Sequence, residues 1–243
     1  MKYYCIGIKG SGMATLAEIL FDLGNEVSGY DDYKPYKFTQ EGIDKRGITI
    51  YYDSNHDIDK DTIVTYSKAF STDHPEIKRV EALGLKIVPY NELLGKLSSE
   101  FKTIGVSGTH GKTTTSTMIS HVLGETIGCN YFIGDGSGFA NRKNKLFTLE
   151  SCEYKKHFLS YSPYYAVVTN IELEHTECYK DIDEIISTFE KFANKANFVI
   201  ACGDCANVRK MKLNKKAMYY GFNEENDVIA KNVILNENGS IFD

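Results

Sequence analysis

The chain has 243 residues, of which 42% are hydrophobic, and its formal net charge is −5. This length allows two domains with ordinary buried cores, and the negative charge argues against a general nucleic-acid-binding protein, which needs a basic face. No apolar run approaches the roughly 18–20 residues that span a bilayer, and the first residues lack the pattern of a signal peptide. We therefore expect a cytoplasmic protein with no membrane segment and no nucleic-acid partner.

Strands and helices alternate through the first part of the chain. The predicted elements are strand 2–8, helix 14–23, strands 26–30, 48–52 and 62–66, helix 75–83, strand 86–89 and helix 91–97. This alternation predicts an α/β fold with a parallel, doubly wound, Rossmann-like sheet. The polar stretch Ser98-Ser99-Glu100 reads as a linker. We place the first domain at residues 1–98.

A second α/β unit follows the linker. Its predicted elements are strand 102–106, helix 112–123, strands 146–149 and 165–169, helix 182–193, and strands 197–201 and 227–235. Asn238-Gly239 is a favoured hairpin turn, and the chain stops soon after it. We expect residues 99–243 to form an incomplete domain whose exposed sheet edge favours self-association.

The strongest motif is Gly105-Val-Ser-Gly-Thr-His-Gly-Lys-Thr-Thr-Thr115, which follows a strand and opens a helix. Glycines let several backbone N–H groups point at phosphate oxygens. The Lys112 ammonium can neutralise the β- and γ-phosphates, and the Thr113 hydroxyl can bind Mg²⁺. Val106 stands where a strict Walker A motif has its first glycine. The pattern indicates an ATP-binding phosphate loop.

A weaker Gly-rich turn, Gly7-Ile-Lys-Gly-Ser-Gly-Met13, follows the first strand, and Asp31 comes about twenty residues later. In a dehydrogenase such a turn holds the pyrophosphate of NAD, but the G-x-x-G-x-G spacing departs from G-x-G-x-x-G. The sequence leaves two other roles open for this turn: it can bind the diphosphate of a UDP-sugar, or it can be purely structural.

Acidic residues and one histidine follow two strands of the second unit. Glu150 and Glu153 follow the strand at 146–149, whereas Glu172, Glu174 and His175 follow the strand at 165–169. Because carboxyl ends of parallel strands meet at one edge, a carboxylate and the imidazole can hold Mg²⁺ beside the phosphate loop. Solvated surface acids are the alternative.

Six cysteines are present, and most lie in apolar segments, which is typical of reduced, buried thiols. Cys202 and Cys205 form an isolated C-x-x-C without a second ligand pair, so packing is favoured over a zinc or redox role.

At these places the chain resembles the Mur ligase family. The segment GTHGKTTT resembles the family's ATP loop, GIKGSGMATLAEIL followed by VSGYD resembles its UDP-binding turn, and LESCEYKKHFLSYSPYYAVVTNIELEH resembles its metal centre. GDGSG at 134–138 and ACGD at 201–204 also match, and the histidine of the loop is typical of the branch that adds L-alanine. Glu174 departs from the family, which usually has Asp before the histidine.

The resemblance implies roles for particular residues. The implied ATP contacts are Gly108, Thr109, His110, Gly111, Lys112, Thr113 and Thr114, and the implied Mg²⁺ ligands are Thr113, Glu153 and His175. The implied catalytic residues are Lys112, Glu153, His175 and Asn170, the last beside the γ-phosphate. The implied contacts of the UDP end of the substrate are Gly10, Ser11, Gly12, Met13 and Asp31.

The implied reaction is ATP-dependent joining of L-alanine to UDP-N-acetylmuramate through an acyl phosphate, in peptidoglycan precursor synthesis, with ATP and Mg²⁺ as cofactors. The third, amino-acid-binding domain of the family is not in this sequence, so we expect the chain to fold but not to ligate. The alternatives are a family member that recycles murein tripeptide, a nicotinamide-dependent Rossmann oxidoreductase, and a nucleotide-binding module without activity.

Overall fold

The computed structural model describes residues 1–67, 69–237 and 239–243, and these divide into two compact units. The first unit comprises Met1–Phe101 and Ser116–Leu149, and the second comprises Lys102–Thr115 and Glu150–Asp243. Both are α/β structures, as the sequence predicts. Within the described ranges, no helix combines the length and the apolar character that crossing a bilayer requires.

The elements run in chain order from the first strand to a C-terminal hairpin. They are β1 (Lys2–Ile6), α1 (Ser11–Asp22), β2 (Glu26–Tyr30), α2 (Gln40–Lys45), β3 (Thr49–Tyr51), β4 (Thr62–Tyr66), α3 (Pro75–Ala82), β5 (Lys86–Pro89), α4 (Tyr90–Ser98), β6 (Lys102–Ser107), α5 (Lys112–Thr126), β7 (Cys129–Phe132), β8 (Gly138–Phe139), β9 (Leu146–Glu150), a 3-10 segment (Tyr154–Ser160), β10 (Tyr165–Val168), α6 (Ile182–Ala193), β11 (Phe198–Cys202), α7 (Ala206–Arg209), β12 (Lys216–Gly221), β13 (Val228–Ile229), β14 (Ile234–Asn236) and β15 (Gly239–Ile241).

The first unit contains a five-stranded parallel sheet in the order β3-β2-β1-β4-β5. Tyr4, Ile6 and Val64 on its strands pack against Ile77 and Val80 of α3. The strand order reverses between β1 and β4, and in sheets of this kind ligands bind beyond the carboxyl ends at such a reversal. The turn after β1 lies at this point.

The same unit includes a small set of strands from residues 116–149. β7 pairs in parallel with β9 and antiparallel with β8. An added Cβ at Gly138 on β8 would lie 3.3 Å from Ile19 on α1, and Arg142 donates a hydrogen bond to the carbonyl of Leu23, which caps that helix. These contacts pack β8 and the segment that follows it against the middle and the C-terminal end of α1.

The second unit contains five parallel strands in the order β13-β12-β11-β10-β6. The apolar face of α6 covers them through Ile185, Phe189 and Phe192, which are almost fully buried. The register places Val168 opposite Ser107, so β6 and β10 end side by side. The loops that follow these two strands therefore emerge together.

Most predicted elements are confirmed within two residues, with three instructive differences. α1 begins at Ser11 rather than at 14, so Ser11, Gly12 and Met13 form its first turn. β12 was not predicted, because its half-exposed residues carry no clean alternation. The prediction of one strand over 227–235 is wrong: β13 and β14 are separate, and Asn232 between them has a left-handed φ of 51°.

The predicted turn Asn238-Gly239 falls partly outside the described residues, because Asn238 is not among them. Gly239 itself is the first residue of β15 and pairs with Asn236.

Candidate nucleotide-binding sites

The phosphate loop connects the end of β6 to the start of α5. Gly108 has φ of 150°, and an added Cβ would collide with the Thr169 hydroxyl, so the backbone there requires glycine. α5 begins at Lys112, which places Lys112, Thr113 and Thr114 in its first turn. The N–H groups of a first helical turn lack partners within the helix and form an anion-binding end.

The segment after β10 holds this loop in shape. The Asn170 carboxamide accepts from the His110 N–H (2.8 Å) and donates to the His110 carbonyl (3.0 Å). The Thr169 hydroxyl donates to the same carbonyl (2.7 Å). The Thr109 hydroxyl accepts from the Glu172 N–H (2.9 Å). Asn170, which the resemblance implies beside the γ-phosphate, is thus bound to the backbone of the loop.

Lys112 is folded back onto its own loop. Its ammonium donates to the carbonyls of Gly108 (2.6 Å) and Thr109 (3.0 Å) and to the Glu153 carboxylate (3.1 Å). An ammonium has three hydrogens to donate, so these contacts use all of them. For Lys112 to reach a phosphate, it must exchange at least one of these partners.

Glu153 lies at the centre of a group of possible metal ligands. Its side chain is 3% exposed, and its Oε2 atom lies 3.1 Å from the Lys112 ammonium as an ion pair but makes no hydrogen bond. Ligand atoms of Glu153, Glu174 and His175 all lie within 4.8 Å of one another, and the His175 Nε2 atom is 3.7 Å from Glu153. A buried carboxylate whose second oxygen makes no hydrogen bond, beside two further ligands, fits a divalent cation.

Tyr179 joins the two halves of this ligand group. Its hydroxyl donates to the Glu153 carbonyl (2.6 Å), and its N–H donates to the His175 carbonyl (3.0 Å). Burial of the side chain raises the pKa of the Tyr179 hydroxyl, which keeps it a donor. His175 itself has a left-handed φ of 54°, so its backbone depends on such bracing.

The remaining predicted residues of this loop are more exposed. The Thr113 hydroxyl donates to Glu150 (3.2 Å), and Thr114 is exposed. The His110 ring is 60% exposed and lies 3.5 Å from the equally exposed Glu172 carboxylate.

In the first unit, the Gly-rich turn leads directly into α1. Gly10 is the residue before the helix and has an extended backbone. Ser11 and Gly12 are accessible at the helix start, whereas the Met13 side chain is buried in the core. Their first-turn N–H groups form a second anion-binding helix end.

Asp31 lies behind this turn rather than open to solvent. It is 5% exposed, its Oδ2 atom accepts from the Lys9 N–H (2.9 Å), and its Oδ1 atom accepts from the Tyr33 N–H (3.0 Å). The carboxylate therefore braces the turn against the segment that follows β2.

Two further segments, which the sequence did not single out as substrate contacts, approach the turn. The Thr39 hydroxyl donates to the Lys9 carbonyl (2.7 Å). A Cβ added at Gly136, in the loop before β8, would lie 3.4 Å from Thr39 and 3.5 Å from the Phe38 ring. The GDGSG segment was the available signal, since it contains this glycine.

The six cysteines are free thiols, but only Cys5 and Cys129 are buried, so the expectation of mostly buried thiols is wrong. Cys152 is exposed. Cys205 is the N-cap of α7, and neither it nor Cys202 belongs to the metal-ligand group found in the described part of the chain.

Comparison with known families assigns both halves of the chain. The profile of the Mur ligase family, catalytic domain, matches residues 2–102, and the profile of the Mur ligase middle domain matches residues 106–243. The chain belongs to the Mur ligase family. Neither match supports a nicotinamide-dependent oxidoreductase. The family is ATP- and Mg²⁺-dependent, which agrees with the phosphate loop and the metal-ligand group of this Mur ligase chain.

Solved structures share its fold. A UDP-N-acetylmuramate:L-alanyl-gamma-D-glutamyl-meso-diaminopimelate ligase from Neisseria meningitides has a TM-score of 0.81 at 22% identity, over 100% of this chain and 85% of that one. A murein peptide ligase from Psychrobacter arcticus has a TM-score of 0.77 at 20% identity, over 98% of this chain and 56% of that one. The UDP-N-acetylmuramate-alanine ligase MurC from Thermotoga maritima has a TM-score of 0.79 at 24% identity, over 96% of this chain and 55% of that one. The chain thus spans just over half the length of the last two.

Proposed function

We propose that this chain provides the substrate-binding and ATP-binding parts of a ligase that joins L-alanine to UDP-N-acetylmuramate through an acyl phosphate. The observation that carries the proposal is the contact between Lys112, in the first turn of α5, and Glu153, in the ligand group with Glu174 and His175. The lysine of the phosphate loop and a buried carboxylate, one oxygen of which makes no hydrogen bond, meet at one loop in a Mur ligase middle domain.

The reaction needs charge neutralisation more than acid–base chemistry. A carboxylate resists attack because it is negatively charged, and phosphorylation by ATP gives it a good leaving group. Lys112 would bind the transferred phosphoryl group, and the first-turn N–H groups of α5 would bind its neighbours. Asn170, Thr169 and Thr109 hold the loop in position through His110 and Glu172, so the loop backbone needs little reorganisation when nucleotide binds, and Lys112 is the side chain that must change partners.

Glu153 and His175, with the Thr113 hydroxyl that the resemblance implies and with the neighbouring Glu174, would hold Mg²⁺, which supplies positive charge to the phosphates of ATP. When the Lys112 ammonium leaves Glu153 for a phosphate, this carboxylate would become available as a metal ligand. Tyr179 would hold Glu153 and His175 at a fixed separation while Lys112 changes partners, because it binds the backbone of both residues.

The first unit would bind the uridine-diphosphate end of the substrate. The first turn of α1, with Ser11 and Gly12 accessible, supplies the anion-binding N–H groups. The turn lies at the reversal of strand order, where sheets of this class bind ligands.

A ligase that transfers a murein tripeptide is a second candidate, since two of the structurally similar proteins are named as such ligases. The two candidates use the same nucleotide and the same UDP-sugar and differ in the amine that attacks. Phosphate release by the protein that carries this chain, measured with L-alanine and with tripeptide as separate amines, distinguishes them.

Thermal unfolding with three ligands tests the general proposal on the chain itself. UDP-N-acetylmuramate and ATP with Mg²⁺ should each raise the unfolding temperature, and NAD should not. A ligand present at about a hundred times its Kd adds about 2.7 kcal/mol to stability. A shift with NAD equal to that with UDP-N-acetylmuramate would reject the substrate assignment.

A further inference from the structure

Lys9, in the middle of the first Gly-rich turn, is a buried cation. Its side chain is 1% exposed, which places it among the largest fully buried side chains of the described chain. Lysine is almost never fully buried unless its charge is compensated. The location of Lys9 therefore needs an explanation that the glycines of the turn do not provide.

The ammonium of Lys9 is held by backbone carbonyls. It donates to the carbonyls of Tyr33 (2.9 Å) and Pro35 (2.7 Å), and it lies 3.4 Å from both the Lys34 carbonyl and the Tyr52 hydroxyl. These partners are neutral oxygens, and the ring centroids of Tyr33 and Tyr52 lie 5.7 and 5.2 Å from the ammonium. Dipoles and aromatic faces therefore stabilise the cation, and no carboxylate of the described chain forms an ion pair with it.

The carbonyls belong to one segment, residues 32–39, which we call the strap. The strap is tied to the turn at three points: the Lys9 ammonium, the Asp31 carboxylate that precedes it, and the Thr39 hydroxyl, which donates to the Lys9 carbonyl (2.7 Å). Between the ties, Tyr36 and Phe38 are 63% and 71% exposed. A fixed backbone thus presents aromatic side chains to solvent beside an anion-binding turn.

We propose that Lys9 is a positioning residue for the nucleoside-diphosphate end of the substrate: it fixes the strap against the turn and places behind it a positive charge that has no ion-pair partner among the described residues. A buried cation with neutral partners is costly, and an anion bound at the adjacent helix start reduces that cost. The fixed strap presents its aromatic rings for contact with a planar base. This inference rests on the proposed function of the first unit and names the residue that organises its site.

Limited digestion with trypsin tests the tie without any ligand. Trypsin does not cut well before proline, so Lys34 is protected by Pro35, and the Lys37–Phe38 bond is the cleavable bond within the strap. Lys9→Met should speed cleavage at this bond by about tenfold or more. The strap carbonyls then lose the ammonium that binds them and form hydrogen bonds with water instead, so the strap opens more often. Lys34→Met, an exposed lysine of the same strap, is the matched control and should leave the rate unchanged.

Thr39→Val distinguishes the attachment of the strap from the charge of Lys9, because it removes the hydroxyl contact with the Lys9 carbonyl and leaves the ammonium in place. We expect a smaller increase in cleavage than for Lys9→Met, and UDP should slow the cut in the parent. If the Lys9→Met strap is cut at the parent rate while the protein unfolds at the parent temperature, the tie does not exist and the proposal fails.

Calorimetric titration with UDP, and with uridine, then tests the role in binding. Lys9→Met should weaken UDP binding by at least about tenfold and uridine binding by less, with Mg²⁺–ADP binding unchanged. Equal losses for UDP and uridine would overturn the role of the charge. If the parent binds neither UDP nor UDP-N-acetylmuramate, the substrate assignment itself fails. The digestion result then decides separately whether Lys9 fixes the strap to the turn.

Discussion

Two Gly-rich turns, each after the first strand of its sheet and each opening a helix, are built differently in the two units. In the first, Lys9 precedes the helix start by two residues and is buried under the strap. In the second, Lys112 is itself the first helical residue and reaches over the loop carbonyls to Glu153. Both lysines donate to carbonyls, but only Lys112 also contacts a carboxylate.

The difference indicates what each turn can do. Lys112 has partners that it can exchange, and its side chain is 14% exposed, so it can transfer to an incoming phosphate. Lys9 is enclosed, and its partners are backbone carbonyls and the Tyr52 hydroxyl, so it can orient a ligand but has no route to join in chemistry. The comparison therefore predicts a reactive site in the second unit and a recognition site in the first.

The largest effect should follow loss of the exchangeable lysine. Lys112→Met, in the protein that carries this chain, should lower the rate of ATP-dependent ligation by at least about a hundredfold, because no other side chain replaces its charge on the phosphoryl group. Lys191→Met, an exposed lysine on α6, is the control. A steady-state rate within about tenfold of the parent would show that Lys112 is not required for the reaction, and the two turns would no longer differ in that respect.

Removal of the central metal ligand should have the next largest effect. Glu153→Gln keeps the shape of the side chain and removes its charge, and it should weaken Mn²⁺ binding in the presence of ADP by about tenfold or more, as measured by electron paramagnetic resonance. Glu177→Gln provides the comparison, since this exposed acid lies 3.6 Å from His175 but outside the three-ligand group. Equal losses for both variants would place the metal elsewhere.

A pair of glycine substitutions tests how tightly the second loop is held. Gly108→Ala should destabilise the protein by about 1–3 kcal/mol, because the new Cβ meets Thr169 in a backbone conformation that side chains rarely adopt. Gly124→Ala, within α5 and with open space around it, should instead stabilise by about 0.5–1 kcal/mol. Chemical denaturation measures both, and a stable Gly108→Ala variant would mean that the loop is loose.

The smallest effect concerns pH and the first unit alone. Burial, and then the charge of Arg79, hold the pKa of His56 below its ordinary value, while its ring stacks on Tyr51 at 3.6 Å. The unfolded chain therefore binds a proton more readily, and stability is lost as pH falls from about 6.5 through the lower folded pKa. His56→Phe should flatten this dependence in thermal unfolding between pH 7 and 5, whereas an unchanged slope would assign it to other groups.

The sequence predicted the fold well where local pattern and tertiary environment agree. The apolar run of β1 and the amphipathic face of α6 are examples, and both elements are confirmed close to their predicted bounds. It failed where one residue decides the backbone, as at Asn232 between β13 and β14, and where a strand is half-exposed, as in β12.

For the sites, the sequence indicated the residue types but not their partners. Lys112, Glu153 and His175 were named from their motifs, and the structure brings them together. Tyr179 and Lys9 were missed, because a brace is recognised by the backbone atoms that it contacts and these come from distant parts of the chain. Glu174, noted in the sequence among the acidic residues after the strand at 165–169 and as a departure from the family pattern, lies within the ligand group.

The most direct test of two turns with separate ligands is a calorimetric titration of the parent, Lys9→Met and Lys112→Met chains with UDP-N-acetylmuramate and with Mg²⁺–ADP. The account predicts a crossed result: Lys9→Met loses affinity for UDP-N-acetylmuramate and keeps it for Mg²⁺–ADP, and Lys112→Met does the reverse. Loss of both ligands in either variant, with its unfolding temperature unchanged, would contradict the assignment of one ligand to each turn.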